Sequence, residues 1–181
     1  MLERYLIEQG APTLAGLKTG SLFCFPMEEN WQQDVAVWDA SLRKKGILLT
    51  VLRCGDKRAL LYLCRRRQLQ QDLARPGVTA FLSAYGYQDT QPEKALEKLR
   101  SRLQECPGFP HEIGLFLGYP LGDVAGFIQH RGKNCKCCGC WKVYCNEREA
   151  RKRFAQIRKC QKIYTELWNQ GRTVWQLTVA A

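Results

Sequence analysis

Apolar residues at Leu2, Tyr5 and Leu6 share one face of a helix, and the pattern predicts a short helix ending at Gly10, followed by the irregular Ala11-Pro-Thr-Leu-Ala-Gly-Leu-Lys18. Leu22 to Phe25 has the apolar density of a strand. Trp31, Val35, Val37, Trp38 and Leu42 then recur at helical spacing, so Trp31 to Lys45 reads as a helix closed by Gly46. Ile47 to Arg53 and Arg58 to Cys64 are apolar runs separated by Cys-Gly-Asp-Lys, whose Gly-Asp turn signal predicts a β-hairpin. Arg65 to Leu73 follows as a basic helix and Pro76-Gly77 marks a loop. Gln91 to Cys106 is amphipathic, with Ala95, Leu96, Leu99 and Leu103 on its apolar face, Pro92 at its start and Pro107 as its stop.

The segment Phe109 to Ile128 is nearly uncharged and carries glycine at 114, 118, 122 and 126. Glycine costs about 1 kcal/mol per helical position, so a stripe of four needs a packing or ligand-binding reason. A residue before proline leaves the α region, which divides the segment into helices over His111 to Leu117 and Leu121 to Gln129, hinged at Tyr119 and Pro120. Trp141 to Cys145 alternates as a strand, with Trp141, Val143 and Cys145 on one face. Asn146 with Glu149 is a capping-box start for a long helix that shows Ala150, Phe154, Ile157, Tyr164, Leu167 and Trp168 on one side and runs to about Gln170. Thr173 to Val179 alternates again and predicts a closing strand. Strands interleaved with helices point to an α/β chain, with α+β as the other arrangement. We expect a single compact domain over 1–181, a mixed sheet flanked by helices.

Composition changes this picture in one place. The 181 residues are 45% hydrophobic and 25% charged, which excludes a disordered chain. Lys and Arg number 28 against 17 Asp and Glu, a net charge of +11. Most of the excess lies in the segment 131–162, which holds eleven basic residues against Glu147 and Glu149, and the same segment holds six of the ten cysteines. Cysteine at about 5.5% is below the level of a disulfide-built secreted scaffold. The first twenty residues carry Glu3, Arg4, Glu8 and Lys18 without an apolar core, so no signal peptide is expected and the thiols are read as cytoplasmic. Ile113 to Ile128, broken by Pro120 and Asp123, is too short for a membrane span.

Three groups of residues carry candidate chemistry. Cys135, Cys137, Cys138 and Cys140 contain two overlapping C-x2-C pairs whose thiolates, next to lysines, suit a zinc or iron ion or redox chemistry, although a second knuckle at zinc-site spacing is missing. His111 and Glu112, with Asp123 to orient the imidazole, form a candidate acid and base set, and His111 is also a candidate metal ligand. The glycine stripe at Gly114 and Gly118, the hinge residue Tyr119, and Lys142 and Tyr144 of the alternating strand form a candidate surface for a flat or anionic cofactor. Cys160 reads as a small buried hydrophobe beside the apolar stripe of the long helix. Cys24, Cys54, Cys64 and Cys106 read as inert.

The run Phe109-Pro-His-Glu-Ile-Gly-Leu-Phe-Leu-Gly-Tyr-Pro-Leu-Gly-Asp-Val-Ala-Gly-Phe-Ile128 resembles the signature of a bacterial domain family of unknown function that is typical of anaerobes. Gly139-Cys-Trp-Lys-Val-Tyr144, Lys159-Cys160, Leu177-Thr-Val179 and Ala11 to Lys18 extend the likeness over nearly the whole chain. The family pattern accommodates cysteine at 140 and 160 and does not require Cys135, Cys137 or Cys138. The resemblance implies a link to ferrous-iron uptake and to flavodoxins, and it shifts weight toward His111.

Together these readings give, as an expectation, a cytoplasmic binding or redox protein. Its thiol and histidine site, Cys140 with His111, would serve a metal ion, iron or zinc, or redox chemistry. Two alternatives stay open. One is a basic interaction module for an acidic protein such as a flavodoxin, for a small anionic ligand or, less favoured, for nucleic acid. The other is an acid and base enzyme using His111 and Glu112.

Overall fold

The computed structural model describes residues 1–105 and 108–180, so Cys106 and the expected stop at Pro107 lie outside the described residues. The chain forms two compact units, one from residues 1–69 together with the stretch from Cys160 onward, the other Gln70–Lys159. It is of the mixed α/β kind, with a three-stranded sheet flanked by helices.

In the first unit, helix α1 (Leu2–Leu14) is followed by strand β1 (Gly20–Pro26), helix α2 (Trp31–Arg43) and the hairpin of β2 (Ile47–Cys54) and β3 (Arg58–Arg65). The sheet order is β1-β3-β2 and every pairing is antiparallel, so the sheet is not mixed in strand direction. Helix α1 packs on β1 and β3, and α2 on β2. Helix α1 does not stop at Gly10. A Cβ there would come within 2.7 Å of Leu63, so this glycine lets the helix lie close on β3 and is not a terminator.

The expected strand at Thr173 to Val179 is instead a short helix, α9 (Val174–Leu177). Thr173 and Gln176 close a capping box: Gln176 N–H donates to Thr173 Oγ1 at 3.2 Å and Thr173 N–H to Gln176 Oε1 at 3.0 Å. Two local bonds outweigh a seven-residue alternation. Val174 and Leu177 enter the core with Leu6, Ile7, Leu42, Leu61 and Leu63. Buried Arg65 fastens these segments, donating through Nε to Thr13 O and through Nη2 to Leu14 O and Val179 O, each at 2.7 Å. Burial lowers its pKa.

In the second unit, helix α3 (Arg66–Leu73), which begins in the first, leads through the expected loop at Pro76-Gly77 to α4 (Val78–Ser83), an element the sequence pattern did not suggest, and to α5 (Pro92–Glu105). Ala95, Leu96, Leu99 and Leu103 of α5 are buried as their spacing requires. Helices α6 (Ile113–Phe116) and α7 (Leu121–Gln129) fall on either side of Pro120. The two-residue strands β4 (Cys137–Cys138) and β5 (Lys142–Val143) pair antiparallel, so only the middle of the expected strand at Trp141 to Cys145 is ladder. Helix α8 (Glu147–Asn169) starts where Asn146 Oδ1 accepts from Glu149 N–H at 3.2 Å, and its residues to Lys159 belong to this unit. Trp141, Val143, Ala150, Phe154 and Ile157 form one buried cluster here.

No helix among the described residues is long and apolar enough to cross a membrane.

Candidate functional site

The glycines of the Phe109 to Ile128 run do separate jobs. Gly118, at φ +79°, lets the chain leave α6 in a left-handed residue, and Tyr119 N–H returns to Gly114 O at 3.0 Å, closing a Schellman-type stop. Tyr119 and Pro120 then carry the chain into α7. On α7, Gly122 and Gly126 are spaced four apart and face the β5 end of the ladder. A Cβ at Gly126 would lie 2.6 Å from Tyr144, and one at Gly122 would overlap the Cys145 sulfur. The bare helix face is therefore what admits β5.

Asp123 stands at the centre of this contact. Its carboxylate is buried, and it accepts from Trp141 Nε1–H, Tyr144 N–H and Cys145 N–H, each at 2.8 Å. These bonds fix the residues on both sides of the Lys142–Val143 strand to the first turn of α7, where a negative charge also suits the helix dipole. Trp141 is held further by the stacked ring of Tyr119 at 4.8 Å and the edge of Phe154 at 4.5 Å. Tyr119 O–H donates to Cys140 O at 3.2 Å, and burial, then the neighbouring Cys140, pushes its pKa up to about 12.

These elements enclose a cavity of about 300 Å³. The loop before α6 contributes Phe109 and His111, and α6 with the following turn contributes Ile113, Gly114, Leu117 and Tyr119. Helix α7 adds Asp123, Val124 and Phe127, and the β4–β5 ladder adds Cys138, Trp141 and Lys142. His111 is exposed at the rim with its ring edge-on to Phe127 at 4.8 Å. Lys142 Nζ donates to Gly132 O at 2.6 Å and lies 5.9 Å from the centre of the Phe127 ring.

The residues singled out from the sequence are distributed unevenly about this cavity. Of the acid and base set, His111 and Asp123 line it and Glu112 does not. Glu112 is buried, taking Arg102 Nε–H in an ion pair and Tyr87 O–H at 3.2 Å, and together with His111 it lines a neighbouring pocket of about 200 Å³. Asp123 is engaged by three donors of the ladder and its flanks, and no hydrogen bond links it to His111 among the described residues. Of the cofactor set, Gly114, Tyr119 and Lys142 line the cavity. Gly118 and Tyr144 do not; Tyr144 stacks on His130 at 5.6 Å and donates its O–H to Lys133 O at 3.0 Å.

Of the four cysteines read as metal ligands only Cys138 reaches the cavity, while Cys137 and Cys140 pack against the Trp141 core. Cys135 is half-buried. Among the described residues no group of three or more His, Cys, Asp or Glu side chains is placed to hold a metal ion, and Cys140, the expected partner of His111, does not line the cavity that His111 lines. No disulfide joins any of the nine described cysteines. The Cys145 thiol has its pKa raised by desolvation and then by Asp123, and that of Cys160 by burial, so neither environment favours a thiolate. Cys160 is buried on α8, as a small apolar residue would be.

Sequence reasoning singled out the turn, the ladder and His111, but not Phe109, Val124 and Phe127 as wall residues. Their apolar character inside the uncharged run was the available signal, and it does not distinguish a cavity wall from a filled core.

Fold and site together define an α/β protein with a small aromatic-walled pocket and no gathered metal ligands among its described residues. Over residues 6–178 the chain matches the family described as protein of unknown function, DUF3793, and it belongs to that family. No curated protein and no solved structure matches it.

Proposed function

We propose that this chain is a small-molecule-binding protein whose ligand lodges in the cavity bounded by α6, α7 and the β4–β5 ladder. The observation that carries the reading is the wall: five rings, from Phe109, His111, Tyr119, Phe127 and Trp141, face one space of about 300 Å³. Small-molecule sites start at about that volume and are lined mainly by apolar and aromatic groups with a few placed polar ones. The wall is also braced. Asp123 ties Trp141 to α7, and Tyr119 is stacked on Trp141, which supports a site formed before its ligand arrives.

The metal reading has less support, because one cysteine of the four meets the cavity. The basic-module reading rests on Arg151, Lys152, Arg158, Lys159 and Lys162, all exposed on α8. A helix that buries Ala150, Phe154 and Ile157 exposes charge on its other side in any case.

Titration with the neutral fluorophore N-phenyl-1-naphthylamine tests the proposal. We expect saturable emission enhancement at one probe per chain. Cys138→Trp, which fills the mouth from an exposed position, should weaken binding about tenfold or more with the far-ultraviolet circular dichroism unchanged. Non-saturating emission, or equal affinity in Cys138→Trp, would overturn the reading.

A further inference from the structure

The polar inventory of the cavity restricts what it can hold. Its one carboxylate, Asp123, already accepts three hydrogen bonds. The indole N–H of Trp141 is spent on that carboxylate, and the hydroxyl of Tyr119 donates to the Cys140 carbonyl. Apart from Lys142, the His111 imidazole at the rim and the exposed Cys138 thiol are the other polar side chains of the lining, so a cationic ligand would meet no carboxylate other than the engaged Asp123. Lys142 is different. Its ammonium has three N–H donors, of which the Gly132 carbonyl takes one, and among the described residues no carboxylate is paired with it. It is half-buried and lies over the Phe127 ring, where surrounding apolar atoms strengthen its field. The same two-residue strand that presents Lys142 is held between Trp141 and Tyr144, both fixed by Asp123, so the ammonium is carried on a braced segment.

Resting on the binding reading above, we infer that the cavity selects a planar aromatic monoanion of about two fused rings, its ring among Phe127, Tyr119 and Trp141 and its negative group on Lys142. Aromatic walls favour an aromatic body through offset and edge contacts. A cavity of about 300 Å³ is at the small end of ligand sites and suits a body of about two fused rings. A single ammonium with two remaining donors matches one carboxylate, sulfonate or phenolate. In this arrangement Lys142 determines specificity and the rings supply most of the affinity.

The test compares 2-naphthoate with its neutral isostere 2-naphthamide, by calorimetry on the full chain at low and at high salt. We expect the acid to bind about tenfold more tightly at low salt, with the preference shrinking as salt rises. Lys142→Met should abolish the preference while keeping the affinity for the amide, and Lys142→Arg should retain it. Because Lys142 also holds the Gly132 carbonyl, retained amide affinity in Lys142→Met shows that the wall still stands. Equal binding of acid and amide by the native chain, or an acid preference that survives in Lys142→Met, would overturn the inference and leave the binding reading intact. Failure of both compounds and of the neutral fluorophore would overturn the two together.

Discussion

Asp123 is the residue whose removal says most about how this site is built. In Asp123→Ala three donors lose a charged acceptor: the Trp141 indole N–H and the amides of Tyr144 and Cys145. Hydrogen bonds to a charged group contribute about 1.5–3 kcal/mol each, and the loss is largest where water cannot replace the partner. Trp141 is buried, so the indole term stays near the top of that range, whereas the two amides are part-buried and, once rehydrated, lose about 0.5–1 kcal/mol each. Relief of the carboxylate's own desolvation offsets roughly 1 kcal/mol, which leaves a net cost of about 3 kcal/mol.

Asp123→Asn separates the contributions. Its carbonyl oxygen can still serve the two amides, but its NH₂ group then faces the indole N–H, donor against donor, at a cost of about 2 kcal/mol. In a Trp141→Phe background the clash vanishes, and Asp123→Asn should cost at least about 1 kcal/mol less than it does in the native chain. The assay is urea unfolding of the four variants at constant m, each compared through its midpoint. A loss below about 1 kcal/mol in Asp123→Ala, or an Asp123→Asn cost indifferent to Trp141→Phe, would refute this account and return Asp123 to the list of candidate catalytic groups.

Three further outcomes follow from the geometry. The Tyr119 pKa is pushed up from 10.0 to about 12 in the folded chain, so the fold favours its neutral form; that contribution is complete below pH 10 and is lost as pH rises toward 12. The stability advantage of the native chain over Tyr119→Phe should therefore shrink between pH 9 and pH 11 in parallel melts, and a constant gap would contradict the burial argument. Gly126→Ala gains about 1 kcal/mol of helix propensity but drives a Cβ to 2.6 Å from Tyr144, so we expect a net loss of about 1–2 kcal/mol by urea midpoint; a stabilised variant would show that the ladder does not seat on α7. Arg65→Lys keeps the charge but cannot reach Thr13, Leu14 and Val179 together, and should cost about 1–2 kcal/mol; an unchanged midpoint would mean the fork is not needed.

Periodicity located α7 to the residue, because Pro120 marks its start and Asp123 sits in its first turn. It located the β2–β3 hairpin for a similar reason, a Gly-Asp turn between two apolar runs. It misplaced the end of the chain, where the choice between strand and helix rested on a capping box at Thr173 that a seven-residue alternation concealed. The candidate site was half legible. Residue types brought His111, Tyr119 and Lys142 forward, and all three line the cavity. Adjacent residues on a helical start diverge by about 100°, which is why Glu112 turns to Arg102 while His111 stays at the rim. The partners of Asp123 lie eighteen to twenty-two positions downstream, beyond any local pattern, and the meeting of Phe109, Phe127 and Trp141 in one wall is a tertiary fact of the same kind.

The division of the chain has a bearing on how it is made. The first unit needs residues on both sides of Gln70–Lys159: Val174 and Leu177 complete its core, and Arg65 finds two of its three acceptors at Thr13 and Leu14 and the third at Val179. On a ribosome adding about 5–20 residues per second, the intervening ninety or so residues take on the order of 5–20 s to emerge, and for that time the sheet β1-β3-β2 exists without its last helix. If Gln70–Lys159 folds while it waits, the loop to be closed becomes short and the entropy of closing it falls. The continuous unit, made before the last segment of the discontinuous one, would then set the rate at which the discontinuous one is finished.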